Sequence, residues 1–80
     1  MNAKYRKTLK CKIGRLNQKI SFELEGIKMN AQWLIDHINE PNQIAFFEKS
    51  RMIAQSETEI KVFIATRDAV QQILNEVESC

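Results

Sequence analysis

The chain has 80 residues, a formal net charge of +2 at pH 7 and only two cysteines. This length allows one small domain, residues 1–80, and domains of this size often gain stability by assembly. Two cysteines are too few for a disulfide scaffold, and the sequence has neither a signal-peptide pattern nor an apolar run that could span a membrane. We therefore expect a cytoplasmic protein.

Charge is distributed unevenly along the chain. Residues 1–20 hold seven basic residues and no acidic one, while residues 21–80 hold five basic and ten acidic residues, so that +7 and −5 give the net +2. A basic segment followed by an acidic remainder is typical of a module that meets a polyanion. The alternative explanation is that these residues form a solvent-exposed strand face, on which lysines prevent edge-to-edge aggregation.

After a basic lead-in over 1–6, residues 7–25 alternate apolar and polar residues on both sides of a short loop. The apolar positions are Leu9, Cys11, Ile13, Ile20, Phe22 and Leu24. A period of two predicts a half-buried β-hairpin with strands over 7–13 and 18–25. Gly14 and Asn17 suit the loop, and Gly26 ends the second strand.

An amphipathic helix is predicted over 31–39. Asn30 is a suitable N-terminal cap, Pro41 stops the helix, and Trp33 is expected to seal the edge of the core. The single histidine, His37, is expected to face solvent from this helix.

The remaining residues predict a second hairpin and a final helix. Strands near 44–54 and 60–65 flank a turn over 56–59, and the β-branched residues of the second run favour a strand. The final helix begins at Thr66 or Asp68 and ends near Glu78. The predicted fold class is thus α+β, in the order ββαββα.

Helical alternatives fit several of the same residues. Ser56 and Glu59 have the spacing of a capping box, and residues 57–78 fit one face of a long helix. With Asn42 as a further cap for residues 43–55, the C-terminal half could be a helical hairpin. An N-terminal β-hairpin followed by such a mostly helical half is the alternative fold. Apolar residues over 9–38 also fit helical spacing. A helix there would leave Phe22 on the polar side and run through Gly14 and Gly26, so we prefer the β-hairpin.

The sequence contains no recognisable catalytic or cofactor motif. Cys11, His37 and Cys80 lack the spacing of metal ligands, and no glycine-rich loop precedes a helix. A bridge between Cys11, expected on the inward strand face, and the terminal Cys80 is conceivable but has nothing else in its favour. We expect no enzymatic activity, no cofactor and no metal.

Binding is better supported by the residues than catalysis. A row of basic side chains on a β-ribbon suits the phosphates of nucleic acid. The predicted nucleic-acid-binding residues are Arg6, Lys7, Lys10, Lys12, Arg15 and Lys19. Tyr5 is the only aromatic residue near them, so phosphate contact is favoured over base stacking. We expect a regulatory protein that binds nucleic acid, with RNA slightly favoured over DNA.

The alternative function is a protein-interaction module, an inhibitor or accessory factor whose basic patch meets an acidic surface of a larger protein. The second hairpin would also be apolar on both faces, with Phe47 and Phe63 pointing away from the core. Small soluble proteins rarely leave such a face open. We therefore expect a homodimer or higher homo-oligomer with Phe47 and Phe63 at its interface.

Overall fold

Two long antiparallel helices make up the fold. A computed structural model of the chain describes residues 3–40 and 42–79. Helix α1 spans Ala3–Asp36 and helix α2 spans Gln43–Ser79. They pack along their length into a helical hairpin whose extents are 61 × 14 × 14 Å. Over these residues neither helix carries the long apolar run that crossing a membrane requires.

The predicted ββαββα fold is wrong, because the described residues contain no strand. Both predicted β-hairpins and their loop at 14–17 lie within continuous helix, and the helical alternatives are confirmed for 9–36 and 57–78. The alternative fold is wrong in keeping the N-terminal β-hairpin and in expecting a helical hairpin in the C-terminal half, where α2 is one continuous helix. Asn30 and Ser56, predicted to cap helices, lie inside α1 and α2. Pro41, predicted to stop the first helix, and Cys80 with its proposed bridge lie outside the described residues.

A heptad spacing of apolar residues explains why helix replaces strand. Residues on α1 recur at alternating intervals of four and three, a spacing that keeps one seam facing a partner helix. They are Leu9, Ile13, Leu16, Ile20, Ile27 and Leu34, with polar Glu23 and Asn30 filling two places in the same series. The alternating residues Cys11, Phe22 and Leu24 are instead exposed on the helix. Burial follows the period of 3.5, not the period of two.

Local hydrogen bonds define the turn between the helices. Asn42 Oδ1 accepts a 3.1 Å hydrogen bond from the Ala45 backbone N–H, which caps the first turn of α2 as the helical alternative predicts. At the end of α1, His37 Nδ1 lies 2.8 Å from the Trp33 carbonyl oxygen. Because a carbonyl can only accept, this bond requires the proton on Nδ1.

The buried core lies at one end of the hairpin only. We call residues 3–20 and 61–79 the open half, since it contains the start of α1 and the end of α2, and residues 21–40 and 42–60 the closed half. The five buried side chains all belong to the open half, and they are Leu9, Leu16, Ile20, Val70 and Leu74. No side chain described in the closed half is buried.

The seam itself explains this difference between the halves. In the closed half, the positions that face the other helix include polar residues at regular heptad places. They are Glu23, Asn30, His37, Lys49 and Ser56. Such residues keep part of their polar surface in water, since burying an unpaired charge is costly. The buried core is therefore confined to the half in which most seam residues are aliphatic.

Candidate nucleic-acid interface

An open groove of about 720 Å³ runs along the first half of α1. Its cationic lining residues are Lys4, Lys7, Lys12, Arg15 and Lys19. Thr8, Cys11 and Leu16 complete the lining, and no carboxylate takes part. We call this surface the basic groove. Its lining therefore carries five positive charges and no negative one.

The basic groove follows from helical spacing. Residues three, four, seven or eight positions apart lie on the same side of an α-helix. Lys4, Lys12, Arg15 and Lys19 obey these intervals, so continuous helix gathers them on one side of α1. From Lys4 to Lys19 there are fifteen residue steps, or about 22 Å along the axis.

The predicted binding residues divide into two groups. Lys7, Lys12, Arg15 and Lys19 line the basic groove, together with Lys4, which the β-hairpin argument did not select. Lys10 instead forms an exposed ion pair with the other helix, in which its Nζ lies 3.5 Å from Glu78 Oε2. Arg6 is exposed and lies outside the groove lining. Helical periodicity applied to 4–19 would have found the full set.

Helix α2 contacts the groove end of α1 at two points. Lys19 Nζ lies 5.6 Å from the centroid of the Phe63 ring, within the range of a cation–π contact. Arg67 Nη1 donates a 3.2 Å hydrogen bond to Asn17 Oδ1. These contacts tie the position of α1 in this region to α2, so the shape of the groove end depends on the closed hairpin.

An aromatic pocket of about 450 Å³ adjoins the basic groove. Arg15 and Lys19 line both cavities, and Phe22, Phe63, Gln18 and Glu23 complete the pocket. The Phe22 side chain is 77% exposed although it was predicted to enter the core from the second strand. The sequence indicated this exposure, since a helix over 9–38 leaves Phe22 on its polar side.

Cys11 and His37 also differ from their predicted positions. Cys11 is an exposed free thiol in the lining of the basic groove, not a buried residue. His37 follows α1 and is half-buried, with its ring stacked 4.0 Å from the Trp33 ring. Within 3–40 and 42–79, no three His, Cys, Asp or Glu side chains converge as the ligands of a metal ion would.

Aromatic residues gather where α1 passes into the turn. Trp33, expected at the core edge, is half-buried, and its ring centroid lies 5.7 Å from that of Phe46 in an edge-on arrangement. Lys49 Nζ lies 5.4 Å from the Trp33 ring centroid. This cluster covers the seam of the closed half where aliphatic residues are sparse.

The two predicted interface residues occupy different environments. Phe47 is 70% exposed near the turn. Phe63 is half-buried and lies against Lys19 of the other helix. The prediction assumed a hairpin that is apolar on both faces, but both residues lie on helix α2. The position of Phe63 is explained by its contact with Lys19 of the same chain. Phe47 remains available to a partner.

The chain matches no protein-family model, no curated protein and no solved structure. The interpretation of the site therefore rests on its own geometry and chemistry.

Proposed function

We propose that this chain is a non-enzymatic binding protein that takes up nucleic acid, RNA before DNA, along the basic groove. The single observation that carries the proposal is the convergence of five cationic side chains, without a carboxylate, on one 22 Å stretch of α1. A strand in a stacked, helical conformation, with a phosphate about every 3.4 Å of its axis as in a duplex, places roughly six phosphates along that length. The number of cations and the number of phosphates therefore correspond.

A salt titration tests this proposal. Releasing counterions from five phosphates of a single strand gives a slope of about −3.5 in log affinity against log salt. Raising salt from 50 to 200 mM should then weaken binding about 100-fold. Fluorescence anisotropy with a labelled 12-nucleotide RNA, the matching DNA and the duplex measures this slope. Absence of binding at 50 mM salt, or binding that ignores salt, contradicts the proposal.

The reducing environment of the cytoplasm suits the exposed thiol of Cys11, and we place the proposed function there. That thiol lies in the lining of the basic groove. In an oxidising compartment it would be open to disulfide exchange. The alternative function, docking on an acidic protein surface, would use the same cations, and the salt titration with nucleic acid separates the two.

We further propose that two copies associate side by side and antiparallel. Of the eleven exposed large apolar side chains within 3–40 and 42–79, eight lie in the closed half, where no described side chain is buried. They are Phe22, Leu24, Met29, Ile35, Ile38, Ile44, Phe47 and Met52. Phe22 borders the aromatic pocket, and the other seven form the surface proposed for association. Monomeric proteins rarely leave so much apolar surface open, and a second pair of helices would cover these seven as in a four-helix bundle.

Charge favours a second copy as the occupant. The open half carries nine basic and three acidic residues, a net of +6, whereas the closed half carries three basic and seven acidic residues, a net of −4. An antiparallel pair sets each negative half beside a positive half. One side of the hairpin, 61 Å long and 14 Å wide, presents an area comparable to the roughly 800 Å² per partner of a standard interface.

A further inference from the structure

We propose that the aromatic pocket is a base-binding subsite, which makes the ligand of the basic groove a single-stranded nucleic acid. The inference rests on the proposed function, because it requires a strand already held by its phosphates in the groove. The observation behind it is the shared lining, since Arg15 and Lys19 belong to both cavities. A strand leaving the groove thus enters the pocket without a break.

Phe22 has the chemistry that such a subsite needs. Its ring is 77% exposed and borders the pocket, beside the cations that end the groove. Proteins that bind single strands combine a cationic track for the backbone with aromatic faces on which bases stack. In a duplex the bases already stack on each other, so the exposed Phe22 ring beside the basic groove would make no stacking contact with a duplex.

The polar residues of the pocket differ from those of the groove. Gln18 and Glu23 lie in its lining, and Glu23 is half-buried. A carboxylate repels a phosphate but accepts a hydrogen bond from the amino group of a base. The side-chain amide of a glutamine can both donate a hydrogen bond to a base and accept one from it. The charge changes from purely cationic to mixed as the groove becomes the pocket. This change matches a strand that presents phosphates to one part and a base to the other.

The test compares Phe22→Ala with wild type on three labelled probes. The probes are a 12-nucleotide RNA, an abasic strand of the same length and an RNA duplex. Loss of one stacked base should weaken the 12-nucleotide RNA about 5- to 150-fold and leave the abasic strand and the duplex unchanged. The salt dependence should keep its slope, because no phosphate contact is removed.

Two further variants make the result specific. Val62→Ala truncates another large exposed apolar side chain, 57% exposed and outside the lining of both cavities, and should leave all three affinities unchanged. Phe22→Trp should restore binding, and its indole fluorescence should be quenched by the RNA but not by the abasic strand, with wild-type Trp33 as the reference. Circular dichroism confirms that each variant keeps the helical content of wild type.

The outcomes separate this inference from the proposed function. If wild type binds the RNA, the abasic strand and the duplex equally, and Phe22→Ala changes none of these affinities, the groove binds polyanions and the base subsite is refuted. If none of the probes binds at 50 mM salt, both proposals fall. A loss on Phe22→Ala that is equal for the RNA and the abasic strand also refutes stacking.

Discussion

Lys19 Nζ lies 5.6 Å from the centroid of the Phe63 ring, so the last cation of the basic groove is positioned by the opposite helix. This contact joins two surfaces that appear independent in the sequence. Residues 4–19 supply the charge, and residue 63 supplies the aromatic face that holds one of those charges beside the pocket. The candidate site therefore belongs to the helical hairpin and not to α1 alone.

Reversing charge in the groove should abolish nucleic-acid binding. In the triple variant Lys7→Glu, Lys12→Glu and Arg15→Glu, three of the five groove cations become anions, and affinity for the 12-nucleotide RNA should fall more than ~100-fold at 50 mM salt. Fluorescence anisotropy measures the change.

A matched control separates the groove from net charge. Lys28→Glu, Arg51→Glu and Lys61→Glu shift the net charge equally at exposed positions outside the groove lining. Long-range attraction weakens with that shift, but the groove contacts remain, so the loss should be much smaller. Equal losses in the two triple variants would mean that the groove has no special role.

Replacing Gly14 tests the helix where a β-turn was predicted. A Cβ added at Gly14 meets no atom within 4 Å, and the residue is exposed inside α1. Gly14→Ala should therefore stabilise the protein by about 0.5–1 kcal/mol, because alanine is the better helix former. Thermal unfolding followed by circular dichroism at 222 nm should show a higher Tm. A lower Tm would mean that Gly14 adopts a backbone conformation other than helix.

The helical fold could be derived from the sequence in part. The series Leu9, Ile13, Leu16 and Ile20 has heptad spacing, yet Leu9, Cys11 and Ile13 also alternate, and a short run supports both periods. The length of the series decides between a helix and a strand. The heptad series on α1 continues for four turns beyond Ile20, and the alternation does not. The two glycines weighed against a helix, although each costs only about 1 kcal/mol there.

The candidate site was predictable in charge but not in shape. The basic segment 4–19 and four of its groove residues followed from composition, because no fold can remove seven positive charges from the surface of so short a segment. The aromatic pocket did not follow, because Phe63 is more than forty residues from Phe22 in sequence. Only the antiparallel pairing of the helices brings the two rings to one cavity.

Core substitutions should have unequal effects in the two halves. Leu74, the most buried side chain at 4% exposure, packs with Leu9 and Val70 in the open half. Leu74→Ala should lower the free energy of unfolding by about 2–5 kcal/mol. Ile53→Ala, at a half-buried seam position of the closed half, should cost less because less apolar surface is lost. Urea unfolding of both variants measures the difference, and equal costs would contradict a core confined to the open half.

Antiparallel association should depend on Phe47 and on salt. Phe47 is 70% exposed in the half that lacks a core, so a second copy that covers it gains roughly 1.5–3 kcal/mol for each ring fully buried. Phe47→Glu should therefore shift a dimer at micromolar concentration toward monomer. Gln72→Glu adds the same charge at an exposed position of the open half and should weaken the dimer much less, because it removes no apolar contact. Because each negative half lies beside a positive half in the proposed pair, raising salt should also weaken association of the wild type. Light scattering after size exclusion, repeated at several protein concentrations and at 50 and 500 mM salt, measures both effects. A 9.3 kDa monomer at every concentration would refute self-association, and a dimer that tightens with salt would refute its antiparallel charge pairing.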